Sequence, residues 1–380
     1  MKLLDVRVLI LIFLVSNNLK SNNDSDKIHL SISLLTFSPG QNVYNTFGHS
    51  AIRIRDFQKG TDYVYNYGSF DFETPGFYFK FIKGKLLYRL SKMPYNYVLH
   101  AAEKEKRTII SNNLILTNSE KKKIAGYLKN NYLPDNREYL YDFLYDNCAT
   151  KFIYIIDSVT NKRLKAERYT YTPLTYSELL KPYLRHKPWV QLGIDMISGR
   201  HLYSKASLTE TGFLPDHLKN VFNYYSDNNK YLLDKDEILI NSATPKNPHN
   251  LSPTKFMLVI LLIAILLRLF ELSRKTFLPF IDEIILGIPI LLGIIIILLW
   301  LFSHHYIYSW NYNLLWANPL WILLLVNQTK KNKTLIYAAI SLLILAIIIN
   351  LIVIQSAAII LFVLILLTRL LFRYQLQKNL

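Results

Sequence analysis

The sequence predicts an α+β exported domain, an antiparallel sheet with helices, followed by an α-helical polytopic membrane domain of about five spans. Three observations carry this. Residues 1–21 begin with the charged Met-Lys-Leu-Leu-Asp-Val-Arg and run into the apolar Val8 to Val15, the pattern of an export signal or an N-terminal anchor. Short segments alternating with period two, separated by turn residues, then read as strands. After about Pro253 the chain is mostly Leu and Ile. The expected units are therefore the signal or anchor at 1–21, a periplasmic domain at 22–253 and a transmembrane domain at 254–380.

Composition narrows the function classes. The formal charge of +17 invites nucleic acid as a partner, but no basic-aromatic recognition motif accompanies it, and Lys and Arg flanking the apolar runs account for the C-terminal share. The charge points to a membrane and not to nucleic acid. Signal cleavage fits within Ser16 to Ser21, and without a nearby cysteine the signal is not of the lipoprotein type. Cys148 is the one cysteine of 380 residues, so no intramolecular disulfide forms. A lone thiol in an oxidising, exported setting calls for a chemical reason.

In chain order, Ile28 to Leu35 alternates as a strand and Ser38-Pro39-Gly40-Gln41-Asn42 breaks it. Ala51 to Arg55 and Tyr63 to Tyr67 also alternate, and the turn at Gln58-Lys59-Gly60 joins them as an antiparallel hairpin. The turn-rich Gly68 to Gly76 leads to the aromatic run Phe77 to Phe81 and a further strand at Leu86 to Leu90. Tyr95 to Glu105 and Ser119 to Asn130 read as helices. Phe152, Ile155, Ile156 and Val159 fall at helical spacing after Asp146-Asn147-Cys148, which makes Asn147 the N-cap and puts Cys148 in the first turn. From Tyr169 to Phe222 the chain is rich in tyrosine and proline, mostly core, with a turn at Gly212 to Asp216.

His49, at the mouth of the hairpin's first strand, and Cys148, at a helix start, are the minimum kit for thiol nucleophilic catalysis. The free N-H groups and positive dipole end of the helix favour a thiolate. A lone cysteine is more often a small buried hydrophobe, and a histidine beside glycine is often structural; the pairing weighs against both. A third group must orient the imidazole. Asn66 is the first candidate because its strand pairs with that of His49, with Tyr65 and Asp71 as alternatives. His100, His186, His201 and His217 sit in helical or irregular surroundings and are expected to cover surface.

Ile284 to Phe302 is a charge-free run of 19 residues, enough for one helix across a hydrocarbon core of roughly 30 Å. Spans are expected near 256–272, 284–302, 314–326, 335–350 and 355–368, the third irregular because it holds Trp316, Asn318, Pro319 and Trp321. Leu335 to Thr368 is too long for one crossing and divides near Asn350 to Gln355. With the exported domain outside, Arg268, Arg274, Lys275, Lys330, Lys331, Lys333, Arg369, Arg373 and Lys378 all fall inside, as the positive-inside rule expects. On the outer side lies His304 to Pro319. Adjacent His304 and His305 do not converge on a metal, so a Trp-Tyr interfacial belt is the plain reading. As the wall of a lipid site, Trp310, Asn311, Asn313, Trp316, Asn318, His304 and His305 offer contacts to a head group.

These motifs together resemble the lipoprotein N-acyltransferase Lnb family. The matching stretches are Thr46-Phe-Gly-His-Ser-Ala-Ile-Arg-Ile, Val64-Tyr-Asn-Tyr-Gly-Ser-Phe-Asp-Phe, Phe79-Lys-Phe-Ile-Lys-Gly-Lys-Leu, Asn147-Cys-Ala-Thr, Leu192-Gly-Ile-Asp, Phe213-Leu-Pro-Asp and Trp310-Asn-Tyr-Asn-Leu-Leu-Trp-Ala-Asn-Pro. The exported part is similar to permuted papain-like (NlpC/P60) enzymes, in which the histidine strand precedes the cysteine helix. The resemblance implies a cysteine-dependent acyltransferase of the inner (cytoplasmic) membrane with His49 as base and Cys148 as nucleophile. Backbone N-H groups at Asn147 and Cys148 would hold the oxyanion, a membrane phospholipid would donate the acyl chain, and a diacylated lipoprotein would accept it. No metal or other cofactor is implied. The same pair would also serve a thiol phospholipase or a cell-wall cysteine peptidase, and a non-catalytic receptor or scaffold is the remaining alternative.

Overall fold

The computed structural model describes residues 29–160, 163–164, 171–227, 230–242, 251–274, 276, 278–326 and 333–379; the expected export segment at 1–21 lies outside the described residues. Alternating residues build a seven-stranded antiparallel sheet from β1 (Leu30–Phe37), β2 (His49–Asp56), β3 (Thr61–Ser69), β4 (Leu87–Pro94), β5 (Ile109–Asn113), β6 (Glu138–Leu140) and β10 (Glu237–Ile240). Its order is β10-β5-β1-β2-β3-β4-β6. The β2-β3 hairpin pairs Asp56 with Thr61 and Ile52 with Tyr65, and Asp56 Oδ1 accepts the N-H groups of Gln58 and Lys59 at 3.0 Å each to close the turn. Strands β7 (Arg163–Leu164), β8 (Tyr225–Asp227) and β9 (Lys230–Tyr231) form a small second sheet.

Period-two alternation gives the main sheet two apolar faces. Ile32, Leu34, Ile52 and Tyr65 pack against Phe152, Ile155 and Ile156 of α4 (Cys148–Val159), the expected cysteine helix. On the opposite face Leu35, Phe37, Ala51 and Val64 pack against Ala102 of α2 (Tyr95–Lys104). Helix α3 (Asn118–Asn131) opens with a capping box, Thr117 and Glu120 satisfying each other's backbone N-H groups. The aromatic run after Gly76 forms the short helix α1 (Phe77–Ile82). A second core gathers Tyr176, Leu179 and Leu180 of α5 (Tyr176–Leu184), Phe213 and Leu214, as the reading of this aromatic stretch as mostly core expects. Around it lie α6 (Pro188–Ile197), α7 (Leu208–Thr211) and α8 (Pro215–Phe222).

Among the described residues three helices are long and apolar enough to cross a membrane: α9 (Pro253–Arg274), α10 (Pro279–Phe302) and α12 (Lys333–Val353). Helix α13 (Ala357–Asn379) adds the apolar stretch Ala357–Leu371. The expected third span, at 314–326, is irregular, as its Trp, Asn and Pro residues predict. Within it the described backbone forms 3-10 turns at Tyr312–Leu315 and Pro319–Trp321 and then the five-residue helix α11 (Ile322–Val326). At 1.5 Å per residue, that helix covers about a quarter of a bilayer core. Irregular backbone survives at membrane depth only where protein covers it, and here α10 does: Gly293 lies so close that a Cβ there would strike the Ala317 carbonyl and the Pro319 ring.

Helices α12 and α13 turn at Ile354–Ser356 without glycine or proline, and Ile354 takes the left-handed φ of +54° that a β-branched residue resists. The exported domain holds this turn: Lys181 Nζ donates to the Ile354 carbonyl at 3.2 Å and Ser356 N-H to Asp195 Oδ2 at 3.0 Å. At the other end of the bundle Arg369 of α13, buried, joins two buried carboxylates, Glu271 of α9 at 2.6 Å and Asp282 of α10 at 2.7 Å.

Removing the cation leaves those carboxylates uncompensated. Arg369→Met is expected to destabilise the protein by about 3–5 kcal/mol, read as a fall in the thermal midpoint in detergent or bilayer discs. Adding Glu271→Gln and Asp282→Asn to the same chain should recover part of the loss.

Candidate active site

The site forms where the first residue of β2 meets the first residue of α4. Since Ile52 pairs with Tyr65, Ala51 stands opposite Asn66, and His49, two residues along, shares their sheet face. Asn66 Oδ1 and His49 Nε2 are hydrogen-bonded. His49 and the Cys148 thiol are in turn hydrogen-bond and charge partners. Phe37, the cross-strand partner of His49, packs its ring at 5.8 Å from the imidazole and limits its rotation. The structure thus brings His49, Asn66 and Cys148 together. It does not bring in the two alternatives: Tyr65 points into the α4-side core, and Asp71 accepts the Glu73 N-H in a turn.

Asn147 caps α4 as expected. Its Oδ1 accepts from the N-H groups of Ala149 at 2.8 Å and Thr150 at 3.0 Å, and its Nδ2 donates to the carbonyls of Phe143 and Phe213. The Asn147 side chain is therefore spent on structure, and the donors near the sulfur are the backbone N-H groups of Ser50 and Cys148. Burial pushes the half-buried Cys148 thiol up, but the charge and hydrogen bond of His49 and those two N-H groups outweigh it, so its pKa lies below the ordinary thiol value. For His49 burial works downward, and the Cys148 charge and hydrogen bond outweigh it, so its pKa is raised. Both shifts favour a thiolate-imidazolium pair.

Sequence reading missed three contributors. Arg107, buried, donates from Nε to the Ser38 carbonyl at 2.8 Å and lies 5.4 Å from the Phe37 ring; its charge opposes protonation of His49. Tyr139 and Tyr141 are held above the ordinary phenol range by burial and by the nearby Cys148 charge. Nothing in spacing or composition marks these residues: Arg107 lies in the segment entering β5, and Tyr139 and Tyr141 lie in and just after β6. Ser50 contributes a backbone group, and only its place beside Gly48-His49 could have flagged it.

The loop entering α4 is tied to the membrane domain. His305 Nδ1 lies 3.4 Å from Asp142 Oδ2, and although burial pushes this carboxyl up, the His305 hydrogen bond and the N-H groups of Leu144 and Tyr145 take it below its ordinary value. Tyr145 is hydrogen-bonded to His201. This corrects the expectation that His201 covers surface: its ring packs against Tyr145, Tyr176 and Tyr306 beside a cavity of about 380 Å³ lined by Arg200, Tyr203 and Tyr312.

The expected head-group contacts are also revised. Asn313 is fully buried, donating to the Asp195 carbonyl at 2.8 Å and accepting from Trp316 Nε1 at 2.8 Å. Asn311 donates to the Met196 carbonyl at 2.9 Å, and Asn318 accepts from Leu320 N-H at 3.0 Å. Asn311 and Asn313 are buried and fasten the last turn of α6, whereas half-buried Asn318 spends its side-chain oxygen on the turn it opens. Trp310 remains exposed beside Trp300, with Arg200 over its ring, and His304 is exposed.

Residues 17–182 match the Lnb N-terminal periplasmic domain, and residues 245–379 match the Lnb transmembrane domain. The chain belongs to the Lnb family. Membership makes it a lipoprotein-modifying membrane enzyme with a periplasmic domain, and the two matched regions correspond to the sheet domain carrying His49, Asn66 and Cys148 and to the helical bundle. No curated protein and no solved structure matches this chain.

The thiolate fraction rises as pH passes through the thiol pKa, and here that pKa is lowered. Alkylation of Cys148 by iodoacetamide is therefore expected to rise at a pH below the ordinary thiol value of about 8.5. In His49→Ala the rise should move to higher pH, and Asn66→Ala should slow alkylation less than His49→Ala does.

Proposed function

We propose that this Lnb protein is a cysteine-dependent lipoprotein N-acyltransferase of the cytoplasmic membrane, with its site on the periplasmic side. The observation that carries the reading is the hydrogen-bonded run Asn66, His49, Cys148 at a helix start, in a domain fastened to a membrane bundle. Proximity of nucleophile and base to the bilayer surface suits a substrate that never leaves the membrane.

In the first step His49 holds the proton of the Cys148 thiol, and the thiolate attacks an acyl ester of a phospholipid. A C-S bond forms, the ester C-O bond breaks, and the imidazolium returns its proton to the departing alkoxide of the lysophospholipid. The N-H groups of Ser50 and Cys148 face the sulfur and are the donors best placed for the developing oxyanion. In the second step the neutral α-amine of an S-diacylglyceryl-cysteine attacks the thioester. A C-N bond forms, the C-S bond breaks, and the amine's surplus proton passes to His49, leaving an amide and a free enzyme. Asn66 acts by holding the imidazole in place beside the sulfur. Neither step calls on a metal or nucleotide.

A fixed covalent intermediate is the consequence to measure. Purified protein incubated with phospholipid vesicles should gain the mass of one acyl chain in wild type and none in Cys148→Ala, by intact-mass spectrometry. A diacylated lipopeptide should discharge the adduct and appear N-acylated. Discharge by water at the same rate would make the protein a thiol phospholipase, and transfer at wild-type rate by Cys148→Ser would overturn the thioester route.

A further inference from the structure

The exported domain carries an aromatic surface that the catalytic chemistry does not use. On α1 the side chains of Tyr78 and Phe79 are 75% and 63% exposed, and Phe72 and Tyr44 beside it are 59% and 60% exposed. These rings are contiguous: Phe72 packs on Phe77 at 4.9 Å, Phe77 on Tyr78 at 5.3 Å, and Tyr44 on Phe72 at 6.5 Å. A contiguous apolar surface of this kind on a soluble face is rare unless something covers it. Lys80, Lys83 and Lys85 alternate with the rings, and Lys83 Nζ sits 4.2 Å over Phe79. Aromatic rings interleaved with lysines are what the water-lipid boundary favours.

The position of α1 supplies the occupant. Helix α10, long and apolar enough to cross a membrane, ends at Phe302, and two residues later the His304 N-H donates to the Lys83 carbonyl at 3.0 Å. Gly84, with φ +65°, packs against both histidines, where an added Cβ would come within 3.1 Å of the His305 ring. The end of α1 is therefore fastened to the point where a spanning helix emerges, at head-group depth. From there the rings lead inward: Phe70 packs on Tyr88 at 5.2 Å, and Tyr88 stacks at 4.4 Å on Tyr141, the phenol that feels the Cys148 charge.

We propose that α1, with the aromatic strip from Phe79 to Tyr44, lies in the outer phospholipid leaflet as a lipid-immersed rim leading from the bilayer to the Cys148 site. The immersion stands on the attachment of α1 to α10 and not on the acyl-transfer reading, so the two fail separately. Cys148→Ser frees the chain of its native thiol. In that background Phe79→Cys, and separately Tyr78→Cys, are labelled with a nitrobenzoxadiazole fluorophore in full-length protein reconstituted into phosphatidylethanolamine-phosphatidylglycerol vesicles. Lys59→Cys, in the β2-β3 turn, serves as the aqueous control. Both rim positions should show blue-shifted emission, quenching by head-group-proximal nitroxide lipid and protection from iodide, and Lys59 the reverse. Emission and iodide quenching at both rim sites equal to those at Lys59 would overturn the proposal. So would shielding that appears only after a diacylated lipopeptide is added, because the strip would then be a peptide surface.

Discussion

A thiol at the start of a helix keeps one place only if the helix cannot slide, and in this protein the Asn147 side chain sets that constraint with all of its hydrogen-bonding capacity. Two acceptor bonds close the first turn of α4, and two donor bonds reach the carbonyls of Phe143 and Phe213, one just before the helix and one from a distant segment. The apolar side of α4 then buries Phe152, Ile155 and Ile156 against β1 to β3. Cap and packing together leave one place for Cys148, beside the first residue of β2. The imidazole there is fixed from the other direction by Asn66 and by the Phe37 ring.

The same loop that delivers Cys148 is where the two halves of the protein meet. Asp142 bonds to His305 and Tyr145 to His201, while Gly199 N-H donates to the Ile307 carbonyl at 2.7 Å and Arg200 N-H to the Trp310 carbonyl at 3.1 Å. Backbone-to-backbone bonds of this kind fix distance more tightly than side-chain contacts on a mobile surface. The Cys148 sulfur is thereby held at a fixed place relative to the apolar helical bundle. Asn313 adds to this junction, its Nδ2 donating to the Asp195 and Met196 carbonyls in the last turn of α6.

Among the candidates for a group that orients His49, alternation and strand pairing put Asn66 on its sheet face. Tyr65 and Asn66 are neighbours in sequence but face opposite sides of the sheet, so only one of them shares a face with His49. Residues such as Asn311 and Asn313 show the opposite outcome. In sequence they read as polar groups free to meet a head group, but the 3-10 turn they form and the end of α6 take up their amides first.

The sequence by itself determined the local features: the β2-β3 hairpin from its period and turn, the cap and apolar stripe of α4, the long spans from their uninterrupted apolar runs, and the pairing of one histidine with one cysteine. Each of these is written in residues close together in the chain or in a composition that few environments tolerate. Tertiary structure decided what depends on contacts between distant residues. It placed Arg107 beside the His49–Cys148 pair, set His201 against Tyr306 at the domain junction, and covered the irregular stretch at 314–326 with α10. The physical reason is that burial and hydrogen-bond satisfaction are properties of the assembled neighbours, and no periodicity within one segment records them.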